Sequence, residues 1–261
     1  MLFPVSLSRP GTYFIDSNRF ASYGLAFACV REKGKINPWE KRGINVWQES
    51  GMERQDRVKW VWSSRDKKDL EARYDQWAKD YDADLDEEFG YVSPQMAVDL
   101  FTRYVHKGAR ILDAGAGTGL VGELLVKQGY RNLVAIDLSL GMLEKARAKN
   151  VYREFHRMVL GETLDFPTAS FDAVISVGVL TLGHASASSL DELIRVTKPG
   201  GYTIYTLRPD VYRDSGFKEK QDALEAQRKW MLAEVSEEFQ ALPKGEPDVY
   251  HQVRVYQVTS P

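Results

Sequence analysis

The chain has 261 residues, enough for one large domain or one domain with an appendage, and its 43% apolar content supplies a full core. Its net charge of −2 gives no reason to expect nucleic acid or an anionic membrane surface as a partner. Cys29 is the only cysteine, which excludes an intramolecular disulfide and a cysteine metal cluster.

The four histidines lack ligand spacing and no apolar run approaches a membrane span, so the reading is a soluble, cytoplasmic, metal-free protein. Residues 1–64 differ from the rest. They hold aromatics without a sustained period and a basic cluster at Arg31, Lys33, Lys35, Lys41 and Arg42. Tyr23-Gly-Leu-Ala-Phe-Ala-Cys-Val30 is apolar but short and lacks a preceding basic run, so it does not read as a signal peptide. Residues 1–64 are expected to be an N-terminal extension. It is either a small appendage or a poorly ordered tail, with Met52 as an alternative start. The domain proper is expected over 65–261.

From Asp66 the pattern turns helical. Leu70, Tyr74, Trp77 and Tyr81 form one apolar and aromatic stripe, with Asp75, Lys79, Asp80 and Asp82 on the wet face. Residues 84–88 read as an exposed acidic turn. Ser93-Pro94 opens the next helix, serine as N-cap and proline at the first helical position, and Met96, Leu100, Phe101 and Tyr104 are its expected buried side.

Ile111-Leu-Asp-Ala-Gly-Ala-Gly-Thr-Gly-Leu-Val-Gly-Glu-Leu-Leu125 then reads as strand, glycine turn and helix. Gly115, Gly117 and Gly119 let a ligand lie on the backbone, and the helix points its free N–H groups and positive end at that ligand. Asp113, before the glycines, suits a ligand with a cationic group. Leu133-Val-Ala-Ile-Asp137 is a second strand ending in an acid that can take both ribose hydroxyls. Together these make a nucleoside-binding βαβ unit. Gly117-Thr-Gly119-Leu-Val-Gly122 also fits the dinucleotide pattern, which leaves NAD open.

A helix is expected over 140–150, a weakly marked strand over 155–160 and a clear strand over 171–177. A helix over 190–196, a turn at Lys198-Pro-Gly-Gly201 and a strand over 202–207 follow. A polar helix over 217–232 and a closing antiparallel pair over 235–242 and 249–258 complete the chain. The expected class is α/β: a mostly parallel sheet with helices on both faces and an antiparallel C-terminal edge.

The run Asp113-Ala-Gly115-Ala-Gly117-Thr-Gly119 resembles the first motif of class I S-adenosylmethionine (SAM) methyltransferases. Ile136-Asp-Leu-Ser-Leu-Gly-Met-Leu-Glu-Lys-Ala146 resembles their second motif, Ser170-Phe-Asp-Ala-Val-Ile-Ser176 their fourth strand, and Val196-Thr-Lys-Pro-Gly-Gly201 the turn before their fifth. The resemblance covers roughly residues 70–210. Val177-Gly-Val-Leu-Thr-Leu-Gly-His184 and Tyr74-Asp-Gln-Trp-Ala78 are similar to a narrower group, the methyltransferase-like proteins named after the Williams–Beuren syndrome chromosomal region.

The resemblance implies a Rossmann-like fold with a seven-stranded sheet, SAM as cofactor and S-adenosylhomocysteine (SAH) as product. It implies that Gly115, Ala116, Gly117 and Gly119 bracket the methionine portion, which Asp113 orients through its ammonium. Asp137 would hold the ribose, with Leu138 and Met142 near the adenine. Glu162 would face the adenine amino group beside Thr163, or else is a solvated loop acid. Tyr74 and Tyr81 would touch cofactor or substrate, although a plain amphipathic helix explains their stripe equally well. His184 is either a general base or a surface-loop histidine. Arg208 either anchors an anionic acceptor or is solvated.

No Asn-Pro-Pro-Tyr-type motif follows the fourth strand, which favours a small-molecule acceptor. The expected function is methyl transfer to such an acceptor by in-line displacement. A NAD(P)-dependent oxidoreductase and a SAM-binding regulatory protein without turnover are the alternatives. The oligomeric state is not legible.

Overall fold

The computed structural model describes residues 51–181 and 183–260. The expected extension therefore lies outside the described residues, except for 51–64.

Among the described residues eight strands are formed: β1 (Arg110–Ala114), β2 (Asn132–Asp137), β3 (Glu154–Arg157), β4 (Phe171–Ser176), β5 (Thr197–Leu207), β6 (Trp230–Val235), β7 (Phe239–Leu242) and β8 (Glu246–Val258). Seven lie in the order β3-β2-β1-β4-β5-β8-β6, and β7 pairs with the start of β8. The pairs from β3 to β5 are parallel, and those made by β8 are antiparallel. This is the class I, Rossmann-like architecture with an antiparallel C-terminal edge.

Side chains alternate across the sheet as the strand period requires. Leu112, Ala114, Val134 and Val174 enter one core layer; Ile111, Leu133, Ala135 and Ile175 enter the other. Helices α4 (Ser93–Tyr104), α5 (Leu120–Lys127) and α6 (Leu140–Ala148) cover the Ile111 face. The Leu112 face is covered by α7 (Ser189–Val196), α8 (Pro209–Asp214) and α9 (Phe217–Ala226).

Four expectations need correction. Residues 84–88 are not an exposed turn. Asp84 ends the short helix α3 (Tyr81–Asp84), is 1% exposed, and a π-helical turn, Leu85–Phe89, follows it. Asp84 accepts from Arg54 Nε at 2.6 Å, Arg57 Nη1 at 2.5 Å and Trp77 Nε1 at 2.7 Å. A buried carboxylate needs such partners, and two of them precede the expected domain start. The compact unit accordingly includes residues 51–64, and helix α1 (Arg57–Trp62) buries Val58 and Val61 within it. The polar helix ends at Ala226, because Trp230 is fully buried, stacks on Tyr256 at 3.9 Å and opens β6. Val92 is the N-cap of α4, Ser93 is buried inside its first turn, and Met96 is 38% exposed.

Candidate active site

Four adjacent parallel strands, β3, β2, β1 and β4, end on the same side of the sheet. Chain order reverses between β1 and β4, and a crevice opens there, as it does in open α/β sheets. Its walls are the residues that end or directly follow those strands: Met158, Asp137 and Leu138, Gly115 and Gly117, and Val177 to Val179. Helix α2 (Lys67–Trp77) closes the crevice with Leu70 and Tyr74, and Tyr81 stands beside them.

The glycines of the turn serve different needs. Gly115, at φ +82°, has Val179 Cγ2 only 2.3 Å from where a β-carbon would lie. Gly117, at φ +56°, has nothing within 4 Å there and faces the crevice. Gly119, at φ +92°, is packed against Tyr152 and Ala146, at 3.1 and 3.3 Å from the same imagined atom. The turn is tied down at its start, where the N–H groups of Gly115 and Ala116 both donate to the Ile136 carbonyl at 2.9 Å. Ala116 is buried in the core and does not line the crevice.

Asp137 sits on the floor, 8% exposed. Its Oδ2 accepts from Gly117 N at 2.8 Å and its Oδ1 from Ser139 N at 2.9 Å. Burial pushes its carboxyl up to about 6 against the pull of those backbone donors. Leu138 and Met142 line the same wall. The α6 turn beneath is capped by Ser139, whose Oγ accepts from Met142 N at 3.0 Å and donates to Asp75 of α2 at 2.6 Å.

Asp113 is placed elsewhere. Alternation turns it to the Ile111 face of β1, where it is fully buried and forms no part of the crevice wall. Its Oδ2 accepts from the Tyr152 hydroxyl at 2.6 Å. Burial pushes its carboxyl up to about 7, and the Tyr152 donor moderates that rise.

Tyr74, Tyr81 and His184 do come together. The Tyr74 hydroxyl and His184 Nε2 are 2.8 Å apart, the Tyr74 and Tyr81 rings meet edge-on at 6.3 Å, and all three side chains line the crevice. Burial raises both tyrosine pKa values, so these hydroxyls stay protonated.

Glu162, Thr163 and Arg208, like Asp113, Ala116 and Gly119, are not brought to the crevice. Glu162 and Thr163 are exposed, and Glu162 accepts from Lys67 Nζ at 3.1 Å. Arg208 is bound to Asp210, at 3.0 and 2.6 Å. Sequence reasoning missed Met158, Val159 and Leu160 as wall residues, although they follow the end of β3 closely and the carboxyl-end rule applied to that strand would have found them. Among the described residues no group of acids, histidines or cysteines can hold a metal ion, and no helix is long and apolar enough to cross a membrane.

The walls suit an adenosyl sulfonium. A buried acid stands where a ribose diol can donate to it. A glycine leaves backbone open beside that acid, apolar side chains are placed for a purine, and tyrosine rings can face a cation.

Comparison with known proteins agrees with this. Residues 112–205 match the family model described as methyltransferase domain. Methyltransferase-like protein 27 of Homo sapiens is 40% identical over 157 residues, 59% of this chain and 62% of that protein. A demethylmenaquinone methyltransferase of Renibacterium salmoninarum is 40% identical over 97 residues, 36% of this chain and 39% of its own length. A TehB-like SAM-dependent methyltransferase from Corynebacterium glutamicum shares the fold, with a TM-score of 0.52 at 19% identity over 72% of this chain and 99% of that one. The chain spans about two fifths to three fifths of the length of these curated relatives.

Proposed function

We propose that the chain transfers the SAM methyl group to a small-molecule acceptor by in-line displacement, a reading supported by the match of residues 112–205 to the methyltransferase domain model and by the likeness to methyltransferase-like protein 27. The observation that carries this reading is the pairing of Asp137 with open Gly117 on the crevice floor, 2.8 Å apart. SAM brings an activated methyl carbon on a sulfonium, so the protein's work is alignment and the exclusion of water.

Asp137 holds the ribose, while Leu138 and Met142 flank the purine. Gly117 lets the backbone approach the methionine arm. Tyr74, Tyr81 and Val179 leave an apolar, aromatic space for the acceptor, and His184 with its Tyr74 partner takes the acceptor's proton where there is one to lose. Support for a small acceptor comes from these apolar walls and from the relative named for demethylmenaquinone.

The test is SAH release from SAM across a panel of phenol, thiol, amine, carboxylate and quinol acceptors. Acceptor-dependent release is the expected result. SAH binding without release on any of them would favour the regulatory alternative.

A further inference from the structure

We propose that Asp113 and Tyr152 are positioning residues that cap the helix after the glycine turn, and that Asp113 acts on the cofactor through that cap rather than by touching its ammonium. The inference rests on the SAM reading of the crevice.

A helix start leaves its first N–H groups without partners, and a Ser, Thr, Asp or Asn at the N-cap usually accepts from the second or third of them. The N-cap of α5 is Gly119, which has no side chain to do this. Nor is a capping residue allowed there. The backbone is at φ +92°, and a β-carbon would press on Tyr152 Cε2 and Ala146 Cβ at 3.1 and 3.3 Å.

The missing acceptor comes from the other side of α6. Gly122 is the third residue of α5, and its N–H donates to the Tyr152 hydroxyl at 3.1 Å, 30 residues away in sequence. That hydroxyl in turn donates to Asp113 Oδ2 at 2.6 Å. A three-member relay thus runs from the helix N-terminus to a carboxylate, the charge a positive helix end favours. Gly122 must lack a side chain for the relay to exist, since its β-carbon would lie 2.3 Å from Tyr152 Cζ and 2.4 Å from the hydroxyl oxygen. One tyrosine therefore accounts for two glycines of the motif, three positions apart on α5. The turn that would hold the cofactor is fixed at both ends: by Ile136 at its start and by Tyr152 at its finish.

Asp113 itself is fully buried on the Ile111 face, off the crevice wall. Its Oδ1 has no hydrogen-bond partner among the described residues. That atom is the one an ammonium contact would use, and the test separates the two roles.

Calorimetric affinities for SAH and for 5′-methylthioadenosine, which lacks the amino-acid arm, are measured for wild type, Tyr152→Phe, Asp113→Asn and the double variant, each confirmed folded by its melting transition. The cap predicts that either single substitution weakens both ligands alike, by about tenfold, the scale of one hydrogen bond to a charged group. The double variant is expected to be no weaker than the worse single, as for residues in one network. Loss of SAH affinity alone in Asp113→Asn, with Tyr152→Phe unaffected, would establish the ammonium contact and overturn the proposal. So would unchanged affinities in either variant.

Hydrogen exchange of the Gly122 amide in ligand-free wild type needs no substitution and no cofactor. Slow exchange is expected, and exchange at the rate of an open loop overturns the cap whatever the variants do. Wild type that binds neither ligand but protects Gly122 would instead remove the cofactor reading and, with it, the claimed effect on binding.

Discussion

Gly117 and Gly119 both have positive φ and stand two residues apart, yet only Gly117 leaves room for something that is not protein. The same division of labour separates the two acids. Asp137 faces the crevice and Asp113 faces the helix layer, and burial raises both, to about 6 and about 7. A folded-state value raised above the unfolded one means that the native chain keeps a proton the unfolded chain has released. The stability this gives is present below about pH 4 and is lost as pH rises through the folded value. An asparagine side chain cannot ionise. The melting temperature of ligand-free Asp113→Asn should therefore rise relative to wild type between about pH 4 and about pH 7. Comparing the two proteins cancels the opposite contribution of buried His251, which burial lowers to about 4. A difference that does not change with pH would mean that Asp113 does not titrate in this window. His184→Ala is expected to slow turnover about a hundredfold, the usual scale for a general base, while SAH affinity stays within about threefold. An undiminished rate would make His184 a wall residue only. That Asp113 would point away from the crevice was legible, since strand alternation opposes it to Leu112 and Ala114. The motif's usual role for an acid there outweighed that signal.

The helices over the crevice show what a periodicity argument reaches and where it stops. The stripe Leu70, Tyr74, Trp77 and Tyr81 is real, with Leu70 and Trp77 in the core and the tyrosines on the cavity. Asp75 and Asp82, assigned to the wet face, are instead fastened to the two turns of the site. Asp75 Oδ1 accepts from Ser139 Oγ at 2.6 Å and from Gly141 N at 2.8 Å, and Asp82 accepts from the Thr118 hydroxyl and from Lys149 at 2.7 Å. A partner 64 residues away leaves no trace in local spacing, and so these contacts were not readable. They matter to stability. Asp75→Ala leaves the start of α6 without its acceptor and should cost about 1–3 kcal/mol in urea unfolding. An unchanged midpoint would show that water replaces the carboxylate without penalty. Gly141 supports the contact, since its β-carbon would lie 3.0 Å from the Asp75 Cα.

At the scale of the molecule, the parallel sheet, its order of elements and its antiparallel edge followed from apolar runs, glycine turns and the resemblance in motifs. The beginning of the domain and β6 did not. The apolar residues of 53–62, Val58, Trp60, Val61 and Trp62, make too short a run to mark a domain edge, and besides the buried Val58 and Val61 their tie to the fold is ionic, through Asp84. Trp230, Met231 and Leu232 belong to a strand over which local polarity had extended the helix. The ionic tie gives a test. A chain beginning at Arg65 removes Arg54 and Arg57 and leaves Asp84 buried with an unpaired charge, which costs about 3–5 kcal/mol. It should melt on the order of 10 °C below a chain beginning at Met52, and equal melting temperatures would mean that Asp84 finds other partners. The central claim is that the crevice binds an adenosyl sulfonium through Asp137. Its most direct test is calorimetric titration of wild type and Asp137→Ala with SAH and with NAD. Micromolar SAH binding, no NAD binding, and a loss of about 1–3 kcal/mol in the folded variant are expected. Binding of NAD alone, or SAH binding indifferent to Asp137, would contradict it.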